Sequence, residues 1–270
     1  MPFHLGTGSW ADPEYRRLLV APPGVPASQR LAAYASAFAH VEVNATYHRL
    51  PSSRQTAEWV KQTPPGFTFS CKLHRLFAQN PEKAADDPTL IQRTLAGLAP
   101  LIEANRLTCF LLVLPPRFTR NRHDLAELNW LIAALAPHPL AVEVRHSSWT
   151  EGAQFDETVA AFRERGLIWV GVDMPRIPGS DLLPPVDAVT RPGIAYLRLH
   201  GRNPDWPQGS SAEEKHTYLY PPDELTEIAQ RARQLAKQAE HVYVIANNHA
   251  RDYAPRTALQ LKQLLTPDQR

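Results

Sequence analysis

Short apolar runs alternate along this chain with segments whose apolar residues recur at helical spacing. Eight runs have the length of strands: 3–8, 40–47, 67–73, 107–114, 139–146, 167–173, 194–200 and 241–247. Most lead into an amphipathic stretch, such as Leu31, Tyr34, Ala35 and Phe38, or Leu125, Leu128, Leu131, Ile132 and Leu135. Helix punctuation agrees with this division. Ser52 followed by Gln55 has the form of a capping box, and Gly166 closes the segment holding Phe155, Val159 and Phe162. Strict alternation of strand and helix predicts parallel strands joined by crossover helices. Eight such units favour a TIM-barrel-like (β/α)8 barrel over an open doubly wound sheet, as one domain spanning 1–270. The sixth unit departs from the pattern, because 174–193 is rich in Pro and Gly, so its helix is expected to be short or absent.

Within the strands, the polar positions are as informative as the apolar ones. Side chains alternate across a strand, so residues two apart share a face. That rule groups Glu42 with Asn44, Thr68 with Ser70 and Lys72, Glu143 with Arg145, and Arg198 with His200. Asp173 closes the sixth run, and Asn247 and Asn248 close the eighth. Nearly all of these lie toward the C-terminal end of their strand, where barrel enzymes build their active sites from several strands. A self-neutralising network that merely fills the barrel is the competing explanation. At an effective dielectric near 20 an ion pair at 4 Å gains about 4 kcal/mol, and burying each ion costs several kcal/mol. Packed Leu or Val would often serve stability equally well, which favours a binding or catalytic role.

Composition narrows the class without naming a function. Hydrophobic residues make up 43% and charged residues 21%, typical of a folded globular chain. The net charge of +2 is too small to argue for nucleic acid by bulk electrostatics. Cys71 and Cys109 each sit in an apolar run, as free core thiols of a reducing compartment would. The opening MPFHLGTGSW lacks the features of a signal peptide, and no apolar run approaches a membrane span, so a cytoplasmic location is expected. GTGSW is neither a P-loop nor a dinucleotide fingerprint; it reads as a plain turn, the alternative being a loop whose backbone can approach an anion. The stretch after the seventh run is long for a βα connection, and its Trp206, Tyr218 and Tyr220 are candidates to line or cover the mouth of a site. His146, one residue beyond Arg145, is expected to point away from the polar set.

Seven motifs in order give a resemblance to a known family: GTGSW, VEVNATYHRLPS (41–52), TPPGFTFSCKLHRL (63–76), LLVLPPRF (111–118), AVEVRHSSW (141–149), YLRLHGR (196–202), and NN followed by YAP (247–255). The chain resembles the YecE-like family, also called domain of unknown function 72, from roughly Leu5 to Leu264. The resemblance implies a TIM-barrel-like fold and no established activity. The family's suggested likeness to endonuclease-four-like and sugar-isomerase-like barrels is a fold-level analogy. Family motifs fall on Trp10, Glu42, Asn44, Lys72, Arg75, Glu143, Arg145, Trp149, Arg198, His200, Gly201, Arg202, Asn247 and Asn248. The chain departs from the family pattern at Gly8 and Ser9, at Ala78 and Gln79, at Ala246, and at His249.

These residues suggest an enzyme acting on a polar, anionic small molecule, phosphorylated or carboxylated and sugar-like. Arg145, Arg198, Arg202 and Lys72 are expected to hold the anion, since guanidinium forks match phosphate and carboxylate. Glu143 or Glu42 is the expected general base or acid, with His200 as proton-transfer partner. Asn44, Asp173, Asn247, Trp10, Trp206 and Tyr218 complete the expected substrate-binding set. Hydrolase, isomerase and lyase chemistry are all compatible with these residue types. No cofactor is expected. Glu42, Glu143, Asp173 and His200 offer donors for a divalent metal, but the neighbouring cations would repel it. Two other classes stay open: a nucleic-acid-binding or repair protein using aromatic stacking, and a barrel that binds a metabolite without turnover. The oligomeric state is not encoded in these patterns.

Overall fold

The structure, a computed structural model, describes residues 2–11, 26–248 and 250–266; His249 lies outside them. Eight strands form the wall: β1 (Phe3–Thr7), β2 (His40–Val43), β3 (Thr68–Lys72), β4 (Leu107–Val113), β5 (Leu140–Glu143), β6 (Ile168–Asp173), β7 (Ile194–Leu199) and β8 (His241–Ala246). Each observed strand lies inside an expected run. β2 and β5 stop earlier than their apolar runs suggest. In β2 the reason is visible: the Thr46 hydroxyl donates to the carbonyls of Val43 and Lys72, turning the chain into a 3-10 turn at Ala45–Tyr47.

All neighbouring strands pair in parallel in the order β1-β8-β7-β6-β5-β4-β3-β2. The sheet curls until its edges, β1 and β2, face each other in a nearly closed barrel. Tyr34 fastens that seam. Its hydroxyl accepts from the Thr7 backbone N–H (2.9 Å) and donates to the His40 carbonyl (3.0 Å), while the Asn44 N–H reaches the Gly8 carbonyl (3.4 Å).

Longer helices follow seven of the strands: α1 (Arg30–Ala37), α2 (Ser53–Gln62), α3 (Pro88–Glu103), α4 (Asn129–Leu135), α5 (Gln154–Glu164), α6 (Pro222–Leu235) and α7 (Tyr253–Leu265). The capping box forms at the start of α2, where the Ser52 hydroxyl accepts from the Gln55 N–H and the Gln55 side chain accepts from the Ser52 N–H. Gly166, with φ of +64°, ends the segment after α5 in the left-handed region. No helix occurs between β6 and β7, as the Pro- and Gly-rich 174–193 segment predicts. Among the described residues no helix is long and apolar enough to cross a membrane.

The main hydrophobic layer lies between the wall and the helices. Trp169 of β6, for example, meets Phe155 and Phe162 of α5 at ring distances of 5.5 and 5.2 Å. Each fully buried Leu or Phe of this layer contributes about 1.5–3 kcal/mol. The apolar stripe of each helix thus covers the outer wall and leaves the inner face free for polar side chains.

Candidate functional site

Paired residues of parallel strands share a face. The pairings Glu42 with Ser70, Val113 with Glu143, Val172 with Arg198, and Arg198 with Ile245 therefore place Glu42, Ser70, Glu143 and Arg198 together inside the barrel. Arg198 is the hub. Its Nε and Nη2 donate to Glu42 Oε2 (3.0 Å) and Oε1 (2.7 Å) as a fork, and its Nη1 donates to Glu143 Oε2 across a very short contact. All three side chains are at most 1% exposed.

An ionised carboxylate only accepts hydrogen bonds, which fixes the direction of every bond leading to it. Below Glu42, Tyr196 donates its single hydroxyl proton to Oε2 (2.9 Å), so Ser70 donates to Tyr196 (2.6 Å). Ser70 must then accept from His40 Nε2 (3.1 Å), which leaves His40 Nδ1 to accept from Thr68 (2.8 Å). Burial, with the nearby His4 ring, pushes the His40 pKa well below its ordinary value and keeps the ring neutral. Above Glu143 a second file runs the other way. Asn44 Nδ2 donates to Asn247 Oδ1 (3.2 Å), Asn247 Nδ2 donates to His200 Nδ1 (3.1 Å), and His200 Nε2 donates to Glu143 Oε2 (3.2 Å). The two files converge on the carboxylates that Arg198 joins. Gly8 belongs here because a Cβ would lie 2.2 Å from Asn44 Nδ2.

Electrostatics separates the members of this set. Burial by itself would raise the Glu143 pKa, but Arg198, His200 and Arg145 offset it and hold the carboxyl well below the usual range. The Arg145 Nε bond to Glu143 Oε1 (2.8 Å) completes its coordination. Burial lowers the His200 pKa against the opposing pull of Glu143, so the ring stays neutral with both nitrogens engaged. Lys72 differs from both. Burial, then the neighbouring Arg198 and Arg145, bring its pKa down to about 7 despite Glu143 and Glu42. Its ammonium lies 4.3 Å from the centre of the Tyr47 ring, and among the described residues no carboxylate pairs with it.

The C-terminal end of the barrel is where this interior opens. Arg145 is 24% exposed and borders a cavity of about 250 Å3 that Met174, Trp206, Ser211, Lys215 and His216 also line. The segment after β7 folds over this end. Trp206 packs on His216 at 4.9 Å, and His216 packs on His200 at 5.0 Å. A second cavity of about 560 Å3 lies between the loops after β3 and β4, lined in part by Ala78, Gln79, Arg117, His123 and Trp130.

Of the residues expected at the site, the structure thus gathers Glu42, Asn44, Lys72, Glu143, Arg145, Arg198, His200 and Asn247, with Trp206 over them. It places the others elsewhere. Asp173 pairs in register with Leu199, not Arg198, and so faces outward beside Gly171, whose Cβ position meets Asp187 at 2.4 Å. There Asp173 accepts from Arg202 (2.8 and 2.7 Å), Arg231 of α6 (2.9 Å) and Tyr220 (2.9 Å). Arg202 belongs to that outer network and also donates to Glu227 (2.9 Å). Tyr218 donates to Glu224, and Asn248 donates to the Tyr218 carbonyl (2.8 Å). Trp10 packs edge-on against Trp59 of α2 (5.1 Å). His146 bonds Ser148 (2.9 Å), outside the polar file.

Sequence reasoning missed Tyr196 and His40 as members of the file, although alternation in YLRLH and HVEVN carries both. His216 had no local signal, because a long loop brings it to His200.

Among the described residues no group of three or more His, Cys, Asp or Glu converges as a metal-holding cluster. A barrel of eight parallel strands with a polar, largely hydrogen-bonded interior open at its C-terminal end defines the class: a TIM-barrel-type protein. Its family follows from direct comparison. The chain belongs to the family described as Protein of unknown function DUF72, whose model matches residues 4–270. It is 28% identical to the UPF0759 protein YunF of Bacillus subtilis, over 97% of this chain and 94% of that protein. The crystal structure of a DUF72 family protein from Thermotoga maritima matches with 32% identity and a TM-score of 0.85, over 98% of this chain and 99% of that one. Another, from Enterococcus faecalis, matches with 27% identity and a TM-score of 0.86, over 97% and 95%.

Proposed function

We propose that this chain is an enzyme for a small polar anion, bound at the C-terminal mouth with Arg145 as its anchor. One observation carries this reading: the interior uses two guanidiniums, Arg145 and Arg198, to neutralise two carboxylates, Glu42 and Glu143, and Lys72 remains as an unmatched positive group. An incoming anion would supply the missing charge. Among the described residues the buried Asn44 Oδ1 has no hydrogen-bond partner, and it suits a substrate hydroxyl, as a sugar-like ligand would provide.

The expected acid–base roles shift with the geometry. Glu42 is saturated by Arg198 and Tyr196, and Glu143 stays ionised, so both orient and bias their neighbours. His200, with both nitrogens engaged, hands that orientation on to Asn247. Lys72 is the group that exchanges a proton near neutral pH, where general catalysis is most efficient. The small cavity at Arg145 suits a metabolite better than a polynucleotide.

Thermal unfolding at low salt, with inorganic phosphate, citrate and sugar phosphates, tests the proposal. A ligand at a hundred times its Kd stabilises by about 2.7 kcal/mol, and Arg145→Gln should remove most of that gain. Stabilisation by single-stranded DNA with none by small anions would favour the nucleic-acid reading. Stabilisation without turnover of any such anion would leave a binding barrel.

A further inference from the structure

We propose that Lys72 forms a Schiff base with the carbonyl carbon of an anionic keto or aldehyde substrate whose charged end rests on Arg145. The inference deepens the anion-site reading and rests on it. Lys72 ends β3 on the inner face, in register with Leu111 and two residues beyond Ser70, so a rigid strand fixes its Cα, and its partly exposed side chain lies over the Tyr47 ring. Arginines do not form imines under such conditions, and the interior histidines are committed to hydrogen bonds. Lys72 is therefore the nucleophile available in this cluster.

The environment prepares it for that task. An ion-paired lysine is held protonated and inert, whereas Lys72 faces two guanidiniums and an aromatic ring without a paired carboxylate. Its amine is half neutral near pH 7, against about one part in 2,500 for an ordinary lysine. In the reaction the amine nitrogen bonds to the carbonyl carbon and the C=O pair moves to oxygen, giving a carbinolamine. The C–O bond then breaks, oxygen leaves as water with the two amine hydrogens, and a C=N bond remains. No oxidant or reductant is consumed. The product imine is an electron sink, suited to isomerisation or elimination next to the former carbonyl.

Reductive trapping of the intact protein tests this. Pyruvate, glyceraldehyde 3-phosphate and, as an uncharged probe, formaldehyde are each supplied with sodium cyanoborohydride, and modified lysines are located by peptide mass spectrometry. Lys72 should react roughly fortyfold faster than the exposed Lys61 at pH 7, since its gain in neutral amine outweighs the nucleophilicity lost with basicity. The rate should rise with a midpoint near pH 7. Arg145→Gln removes one of the charges that lower the Lys72 pKa and should slow all three probes, the two anionic ones by several-fold more than formaldehyde, and Lys72→Arg should abolish the label. Equal labelling of Lys72 and Lys61 by all three probes overturns the proposal. Phosphate-dependent thermal stabilisation, measured on the same samples, separates the two readings: if it persists without Lys72 labelling, only the imine falls, and if both are absent, the anion site falls too.

Discussion

The barrel carries two carboxylate–guanidinium networks that differ in how they end. The outer one, on the far side of β6, closes on itself. Asp173 and Asp187 are bridged by Arg231, and Arg202 links Asp173 to Glu227. It occupies the place of the absent sixth helix and ties 174–193 to α6. The inner one, built on Arg198, Glu42 and Glu143, saturates its carboxylates but stops at the mouth, where among the described residues Lys72 has no paired carboxylate and Asn44 Oδ1 no hydrogen-bond partner. The same chemistry is complete where it supports a fold. It is left incomplete at the mouth, where the proposed anion would complete it.

That contrast can be broken by mutation. Arg198→Met should have the largest effect, because it strands two carboxylates in the barrel; a loss of about 5 kcal/mol is expected in urea unfolding. Asp173→Asn should cost about 3 kcal/mol, since Arg202, Arg231 and Tyr220 lose a shared acceptor. It should leave phosphate stabilisation unchanged. A loss of anion binding in that variant would erase the distinction between the networks.

Lys72→Met should move stability the opposite way, with a pH signature. The folded pKa of Lys72 lies near 7 and the unfolded value is the ordinary 10.5, so between them the unfolded chain binds more protons and wild-type stability rises with pH. Its unfavourable contribution is complete below pH 7 and fades toward pH 10.5. Lys72→Met should therefore be more stable than wild type at pH 6 and approach it at pH 10. A pH-independent difference would contradict the unmatched charge. Asn44→Ala should have the smallest effect, about 1 kcal/mol for one hydrogen bond to Asn247. Its larger consequence should be weaker binding of hydroxylated anions than of phosphate.

Much of this was legible in the sequence. Alternation put Glu42, Ser70, Glu143, Arg145, Arg198 and His200 on one face, and the structure brings them together. The same rule carried a warning about Asp173. In IWVGVD it shares a face with Trp169, a large aromatic that packs on α5, so its position at a strand end was no sign of the interior. Arg202 and Tyr218 were misplaced for another reason: they follow β7 into a long loop, where no periodicity says which way a side chain turns. The reach of Trp206 and His216 to His200 depends on the same loop.

The barrel, its missing sixth helix and the polar identity of the inner face are all readable along the chain. Each is a local property of alternation, spacing or Pro and Gly content. Only the tertiary structure decided which charges meet. Arg198 and Glu42 are 156 positions apart, and Arg198 and Glu143 are 55 apart. Their pairing depends on strand register around the barrel, which no short stretch encodes. Among the described residues, that register leaves Lys72 without a paired carboxylate in the inner network.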